Sequence, residues 1–144
     1  MICVDINPNY LRVAERRYSR YFTNIEFICN DIASSEFMVE EVELVFVGLV
    51  FEYVEKNQTI ENISKILKAG GKLVIVLQVK NPLLSEVSPS TYKNLEKLSK
   101  IFSFVAADEI IELSEKFDFK LVSKSRTVLK STKTFDEIIL IKKS

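Results

Sequence analysis

The amino-acid sequence has no histidine, two cysteines, three prolines and three glycines among its 144 residues. Without an imidazole, every mechanism that uses histidine as a base is excluded, and a common nitrogen ligand of metal sites is missing. The two cysteines, Cys3 and Cys29, are too few for a structural zinc cluster or a disulfide framework, so no metal site is expected. We therefore expect reduced thiols and a cytoplasmic protein.

An excess of charge and a long apolar segment are also missing. The 20 basic side chains balance the 20 acidic ones, so neither nucleic acid nor an anionic membrane is expected as a partner. The longest apolar run, Leu44 to Phe51, is far shorter than the roughly 20 residues that cross a bilayer, and no signal peptide precedes the first strand. The basic segment from Lys120 to Ser144 is interpreted as edge strands that lysine protects from pairing with other chains.

The composition that remains is that of an ordinary globular protein, with 47% hydrophobic and 28% charged residues. A chain of this length is expected to form a single domain over residues 1–144. Short apolar runs alternate with segments of helical periodicity, which is typical of parallel strands joined by crossover helices. The sequence therefore predicts an α/β fold.

Four strands are predicted before the first long polar break. They are Ile2 to Asp5, Ile25 to Asn30, Leu44 to Leu49 and Lys72 to Val79. The third is an unbroken apolar run, which predicts a strand covered on both faces. A helix is predicted from Pro8 to about Tyr21 with Asn7 as its N-cap. Its inner face is predicted to carry Leu11, Ala14, Tyr18 and Tyr21.

The second helix is predicted from about Gln58 to Lys68. Asn57 or Thr59 is expected to cap its amino end. Gly70 and Gly71 are expected to end it, because glycine adopts the left-handed conformation that often follows a helix. The preceding polar segment, residues 33–41, is predicted to be a loop or a short helix.

The last third of the chain predicts two helices and a hairpin. The helices span Ser90 to Phe102 and Asp108 to Phe117. Two strands follow, at about Phe119 to Val128 and at Phe135 to Lys142, and the turn-like residues 130–133 between them favour an antiparallel hairpin.

Two carboxylates follow predicted strands in matching positions. Asp5 ends the stretch ICVD, and Asp31 ends the stretch ICND. Open α/β sheets bind ligands at the carboxyl ends of their strands, where a carboxylate accepts hydrogen bonds from a ribose diol. The alternative for Asp5 is a simple favourable charge before a helix amino terminus. If the two strands are parallel neighbours, Cys3 and Cys29 should lie close together on the same face.

Four motifs occur together in a familiar order. They are DINP at residues 5–8, NDI at 30–32, LVFVGLVFEYV at 44–54 and ISKILKAGGKLVIV at 63–76. In this order and spacing, the chain resembles class I S-adenosylmethionine-dependent methyltransferases, most closely the small-molecule enzymes called type 11 or type 12. The resemblance implies a Rossmann-like three-layer sandwich, with a mostly parallel sheet and a C-terminal antiparallel hairpin. It also implies S-adenosylmethionine as the cofactor.

The resemblance assigns the adenosine end of the cofactor to the first two motifs. Asp5 matches the acid that holds the ribose, and Ile6 matches the neighbour that packs on the adenine. Asp31 matches the acid that takes the adenine amino group. Ile32 matches the residue that supplies a backbone contact and apolar packing.

The resemblance assigns the third motif to the end of the cofactor that carries the methyl group, and to the substrate beside it. Gly48 and Leu49 match the strand end that opens toward the methionine part of the cofactor, and Glu52 and Tyr53 match the pair that borders the substrate. If the methyl acceptor needs a base, Glu52 is the candidate, with Tyr53 as a positioning donor or acceptor. The alternative for Glu52 is an acid in a solvated loop, and the alternative for Tyr53 is a side chain that only packs against its neighbours.

The chain departs from the family at its beginning. The family's first strand and its glycine-rich loop are missing, because the three glycines, Gly48, Gly70 and Gly71, all belong to later motifs. That strand lies in the middle of the family's sheet, between the strands assigned to Ile2 and Leu44. The sheet must therefore close the gap, leave it to another chain, or belong to a longer parent protein. Exposed edges at a gap favour homodimerisation.

Three functions are compatible with these patterns. The first is a methyltransferase for a small-molecule substrate, impaired or inactive as this chain, whose N-terminal segment has been lost. The second is a degenerate, non-catalytic methyltransferase-fold protein that serves in binding or assembly. The third, a dinucleotide-binding oxidoreductase, also needs the missing glycine loop and fits the C-terminal hairpin poorly.

Overall fold

A computed structural model describes residues 1–81, 101–130 and 133–144. The helices are α1 (Pro8–Tyr18), α2 (Lys56–Ile66) and α3 (Ala107–Glu115). The strands are β1 (Ile2–Asp5), β2 (Glu26–Cys29), β3 (Val42–Gly48), β4 (Leu67–Gln78), β5 (Phe119–Val128) and β6 (Thr134–Lys142). No helix in these ranges is long and apolar enough to cross a membrane.

The strands form one four-stranded and one two-stranded sheet. The larger sheet has the order β3-β4-β6-β5, in which β3 and β4 are parallel and β6 is antiparallel to both of its neighbours. The smaller sheet pairs β1 with β2 in parallel. The predicted C-terminal antiparallel hairpin is confirmed, and so is the Rossmann-like α/β fold.

The two sheets remain separate within the described part of the chain. β1 pairs with β2 and β3 pairs with β4, so β1 and β3 each keep one edge that no described strand covers. Of the three arrangements expected at the gap, closure of the sheet is therefore not observed.

The hydrophobic core lies almost entirely in the larger sheet and its helices. Its central cluster runs from Val47 to Leu140, whereas Leu11 is the single buried residue among residues 1–36. The predicted inner face of the first helix is wrong at Tyr18 and Tyr21, whose side chains are 41% and 68% exposed, whereas Ala14 is partly buried. A two-stranded sheet offers too little surface to cover a whole helix face.

Strand β3 differs from the prediction of a strand covered on both faces. Val47 is buried, but Leu44 and Phe46 are 58% and 68% exposed. The cause is position, since β3 is the outermost strand of its sheet beside the gap. Apolar sequence alone does not distinguish a central strand from an uncovered edge strand.

Helix α2 starts earlier than predicted, and its cap is neither Asn57 nor Thr59. Glu55 is the N-cap, and its carboxylate accepts hydrogen bonds from the backbone N–H groups of residues 57 and 58, at 3.0 and 2.6 Å. Gly70 and Gly71 do not end the helix, because α2 stops at Ile66 and both glycines lie in β4. Pairing of β4 with β3 jumps from Leu67 to Lys72, and Gly70 adopts a φ of 75° within this irregularity.

The remaining predictions hold with small shifts. Asn7 caps α1 by accepting a hydrogen bond from the Asn9 N–H at 2.9 Å, but the helix ends at Tyr18. Residues 33–41 form a loop without helix or strand. Residues 90–100 of the helix predicted from Ser90 to Phe102 lie outside the described residues, and residues 101–102 are not helical.

The prediction that Cys3 and Cys29 lie on the same face of neighbouring parallel strands is confirmed, but the two cysteines are not directly opposite each other. Cys3 is opposite Phe27, and Asp5 is opposite Cys29, so the two thiols share a face two positions apart. Both cysteines are free thiols. The Cys29 thiol donates a hydrogen bond to the Ile6 carbonyl at 3.6 Å.

Candidate functional site

A cleft of about 1560 Å³ separates β1 from β3 and extends to the carboxyl ends of both strands. Its wall includes six of the eight residues that the sequence assigned to the site. These are Asp5, Ile6, Asp31, Ile32, Leu49 and Tyr53. The structure therefore brings most of the predicted site together in one place.

Asp5 and Asp31 are each oriented by the turn that follows them. The Asn7 N–H donates to Asp5 Oδ1 at 2.7 Å, and the Ala33 N–H donates to Asp31 Oδ1 at 2.9 Å. A carboxylate has about four acceptor positions, so one backbone hydrogen bond leaves capacity for a ligand. Both side chains are partly buried at the cleft wall, where they can accept hydrogen bonds from hydroxyl or amino groups.

Leu49 directly follows β3 in an unusual backbone conformation. Its φ is 57°, in the left-handed region, which costs a residue with a Cβ roughly 1–2 kcal/mol. Its N–H donates to the Val76 carbonyl at 3.0 Å, which holds this conformation against β4. Backbone strain of this kind is enriched at functional sites.

Gly48 is not part of the cleft wall. A Cβ at this position would lie 2.9 Å from Cε1 of Phe46. The absence of a side chain at residue 48 therefore makes room for the exposed phenylalanine ring beside it, two residues earlier in the same strand.

Asn62 is a site residue that the sequence interpretation missed. Its buried amide donates to the Ile32 carbonyl at 2.8 Å and to the Ser34 carbonyl at 2.7 Å, and its Oδ1 accepts from Gln58 Nε2 at 3.1 Å. These bonds attach the loop after Asp31 to α2, and so connect the small sheet to the large one. The available signal was a polar residue on the otherwise apolar inner face of the predicted helix.

Glu52 is buried, with 1% of its surface exposed, and does not line the cleft. The backbone N–H of Gln78 donates to Glu52 Oε1 at 2.7 Å. Oε2 has no hydrogen-bond partner among the described residues. Loss of water around the carboxylate raises the pKa of Glu52, and the hydrogen bond from Gln78 opposes this effect. The alternative interpretation of Glu52 as an acid in a solvated loop is therefore wrong.

Tyr53 lies at the cleft wall and also packs against another ring. Its ring meets the edge of Phe102 at a centroid distance of 5.5 Å and an interplanar angle of 77°. Phe102 in turn packs on Phe104 at 4.8 Å. This aromatic row fixes the position of Tyr53 beside the cleft.

The charged side chains of the described cleft wall are all acidic, and one of them, Glu43, forms an ion pair with Lys68, which lies outside the wall. Its described residues include seven carboxylates and no lysine or arginine. The carboxylates are those of Asp5, Glu26, Asp31, Glu40, Glu41, Glu43 and Glu55. No group of three or more potential metal-ligating side chains occurs among the described residues. The wall therefore favours cationic or hydrogen-bond-donating ligands.

Parallel strands with acidic residues at their carboxyl ends, followed by a C-terminal antiparallel hairpin, define the class I S-adenosylmethionine-dependent methyltransferase fold. A family model described as a methyltransferase domain matches residues 1–75, just over half of the chain. The chain belongs to this methyltransferase-domain family. S-adenosylmethionine is the cofactor of the class.

Similar proteins support the fold. An uncharacterized protein of Methanocaldococcus jannaschii is 27% identical over 138 residues, which is 95% of this chain but 64% of that protein. The chain thus spans less than two thirds of this relative. The N-methyltransferase NodS of Bradyrhizobium japonicum, solved with S-adenosyl-L-homocysteine, matches with a TM-score of 0.73 and 17% identity, over 99% of this chain and 66% of NodS. The [4+2]-cyclase SpnF matches with a TM-score of 0.73 and 11% identity, over 99% of this chain and 65% of SpnF.

The described residues fit one part of the class cofactor better than the other. Asp5 and Asp31 offer acceptors to a ribose diol and an adenine amino group, beside the apolar side chains of Ile6 and Ile32. The chain offers no glycine-rich loop to the methionine part, since its three glycines are at positions 48, 70 and 71.

Proposed function

We propose that this chain, as a single domain over residues 1–144, binds S-adenosylmethionine and acts as a methyltransferase on a small molecule. The observation that carries the proposal is the meeting of Asp5 and Asp31 at one cleft, each with a carboxylate oriented by its own turn. Two such acceptors beside apolar side chains suit an adenosine group better than a purely anionic or purely apolar ligand.

In this proposal, Asp5 accepts hydrogen bonds from the ribose hydroxyls and Asp31 accepts one from the adenine amino group. Ile6 and Ile32 cover the faces of the base. Asn62 is a positioning residue, because it holds the backbone of residues 32 and 34 through two hydrogen bonds.

The reacting end is assigned to the residues that follow β3. Leu49 turns the chain toward the methionine part, and Gly48 leaves space for the ring of Phe46. Tyr53 is proposed to orient the methyl acceptor, a role supported by its place in the cleft wall. Glu52 is proposed to be a positioning residue for Tyr53. Its carboxylate accepts a hydrogen bond from the Gln78 N–H, which attaches the segment after β3 to the end of β4.

When bound, S-adenosylmethionine supplies a methyl group on a sulfonium, which is a good leaving group. The protein therefore contributes mainly by aligning donor and acceptor and by excluding water. The acidic wall also attracts an acceptor that carries an amino group. An acceptor that arrives as an ammonium ion must first lose a proton, to water or to a carboxylate of the wall, before its nitrogen lone pair can attack the methyl group.

Calorimetric titration with S-adenosylmethionine tests the proposal. We expect saturable binding by the unmodified chain and at least about tenfold weaker binding by Asp5→Asn and by Asp31→Asn, because hydrogen bonds to a charged group contribute about 1.5–3 kcal/mol. Glu112→Gln, an exposed carboxylate on α3, is the control and should bind like the unmodified chain. Equal binding by all four proteins would contradict the assignment of the acids.

The second candidate function is a non-catalytic binding or assembly protein. It is favoured by the scarcity of glycine, because no glycine loop in this sequence can approach the methionine part of the cofactor. The same titration separates the two functions. A micromolar dissociation constant for S-adenosylmethionine excludes the non-binding protein, whereas the absence of measurable binding overturns our proposal.

A further inference from the structure

Two acids are buried among the described residues, and only one of them has a charged partner. Asp136 forms an ion pair with Arg126 at 2.6 Å. Glu52 forms no ion pair in the described part of the chain, and its Oε2 has no hydrogen-bond partner there. Burying an ionised carboxylate without a counter-charge is costly. The surroundings of Glu52 therefore suit a neutral carboxyl group better than a charged one.

Glu52 lies where three segments of the chain meet. Its own segment follows β3, and the Gln78 N–H at the carboxyl end of β4 donates to its side chain at 2.7 Å. The Ser103 N–H donates to the Glu52 backbone carbonyl at 2.9 Å. This bond attaches residues 101–106, here named the aromatic segment, which form neither helix nor strand and lead into α3.

The aromatic segment is held firmly only at the end next to α3. Val105 is buried in the core, whereas Phe102 and Phe104 are partly buried and Ser103 is exposed. Local opening costs least where few apolar contacts are buried. Residues 101–104 can therefore separate from Glu52 with a smaller loss of core contacts than either strand.

The elements around Glu52 carry other charged or titratable side chains. They are Tyr53 and Glu55 on its own segment, Lys80 after β4, Asp136 of β6 with its partner Arg126, and Asp108 of α3 with its partner Lys124. The aromatic segment carries none. Burial is the main cause that raises the pKa of Glu52, backbone hydrogen bonds oppose it, and none of these side chains contributes. Protonation of Glu52 is therefore coupled to whether water reaches it.

We propose that the positioning role of Glu52 is controlled by a proton. With a neutral carboxyl group, the aromatic segment stays bound to Glu52, and Phe102 holds the Tyr53 ring at the cleft wall. When the proton leaves to solvent, the aromatic segment separates so that water reaches the carboxylate, and Tyr53 loses its contact with Phe102. This inference rests on the proposed place of Tyr53 beside the methyl acceptor.

An NMR titration of the isotope-labelled chain between pH 4 and 9, without cofactor, tests the inference. Tyrosine side chains ordinarily keep their protons in this range. We expect the signals of the Gln78 amide, the Ser103 amide and the Phe102 ring to change with one common midpoint above the ordinary glutamate value. Protection of the Ser103 amide against hydrogen exchange should fall at least tenfold above that midpoint.

Two variants separate a proton-controlled role from a purely structural one. Glu52→Gln keeps the size of the side chain and an acceptor for the Gln78 N–H but cannot ionise, so Ser103 should stay protected across the whole range. Glu112→Gln, at an exposed position of α3, should titrate like the unmodified chain. Loss of Ser103 protection at every pH in a folded Glu52→Gln would contradict the inference.

The unmodified chain alone can also overturn the inference, even if Glu52→Gln does not fold. The contrary results are a Gln78 titration without change at Ser103 and Phe102, a midpoint at or below the ordinary glutamate value, or no titration up to pH 9. S-adenosylmethionine is absent from this experiment. Failure to bind the cofactor in the calorimetric titration would therefore overturn the proposed function and leave this result unaffected.

Discussion

Asn62 shows how one buried side chain can place a ligand group that it does not itself supply. Its amide joins α2 to the two carbonyls that follow Asp31, across 30 and 28 positions of sequence. The small sheet has little core of its own, since Leu11 is the single buried residue among residues 1–36. The position of Asp31 therefore depends strongly on Asn62.

Replacing Asn62 by alanine should lower the free energy of unfolding by about 2 kcal/mol, because two partly buried carbonyls lose the hydrogen bonds that the buried amide donates. Urea denaturation measures this change. Asn57→Ala, at an exposed position of the same helix, is the matched control and should change stability by less than about 0.5 kcal/mol. Equal effects of the two substitutions would contradict the role given to Asn62.

Glu52 should make stability depend on pH in an unusual direction for a carboxylate. Burial raises its pKa in the folded protein above the ordinary glutamate value. Its contribution to stability is therefore fully present below that ordinary value and is lost as pH rises through the raised pKa.

The variant Glu52→Gln removes this titration. The free energy of unfolding of the variant should therefore increase relative to that of the unmodified chain as pH rises above about 4, because only the unmodified chain loses stability there. Urea denaturation at a series of pH values measures the difference, and Glu112→Gln should show no such trend. A difference that moves in the opposite direction would mean that the folded protein favours the ionised carboxylate.

The junction between α2 and β4 depends on backbone conformation more than on side chains. Gly70 has a φ of 75°, and a Cβ built there would have no atom within 4 Å. Gly70→Ala should therefore destabilise the protein by about 1–2 kcal/mol through backbone strain alone. Gly70→Asn should cost less, because asparagine tolerates the left-handed region. Thermal unfolding measures both, and an equal loss would point to a cause other than backbone strain.

The same junction illustrates what sequence patterns could predict. The strand and helix types were predictable from periodicity, and Asn7 was predictable from cap chemistry. Gly70 and Gly71 were assigned to a helix end, although they lie inside β4. A glycine pair marks a left-handed backbone position, but it does not specify whether that position belongs to a helix end or to a strand irregularity.

Across the whole molecule, the residues that line the site were more predictable than their surroundings. Asp5, Asp31 and Leu49 lie at or just after the carboxyl ends of strands, and the topology of the fold brings such ends together. The burial of Glu52 and the exposure of Phe46 were not predictable, because both depend on which strands cover β3 and the segment after it. Periodicity gives the face of an element, whereas tertiary neighbours decide whether that face is covered.

The central claim is that Asp5 and Asp31, at the carboxyl ends of β1 and β2, hold the adenosine part of S-adenosylmethionine. Amide NMR spectra of the isotope-labelled chain, recorded during a titration with S-adenosylmethionine, test it most directly. We predict saturable shifts of the amides of Asn7, Ala33 and Leu49, while amides of β5 remain unchanged. Shifts that do not saturate, or that fall only outside the cleft, would contradict the claim.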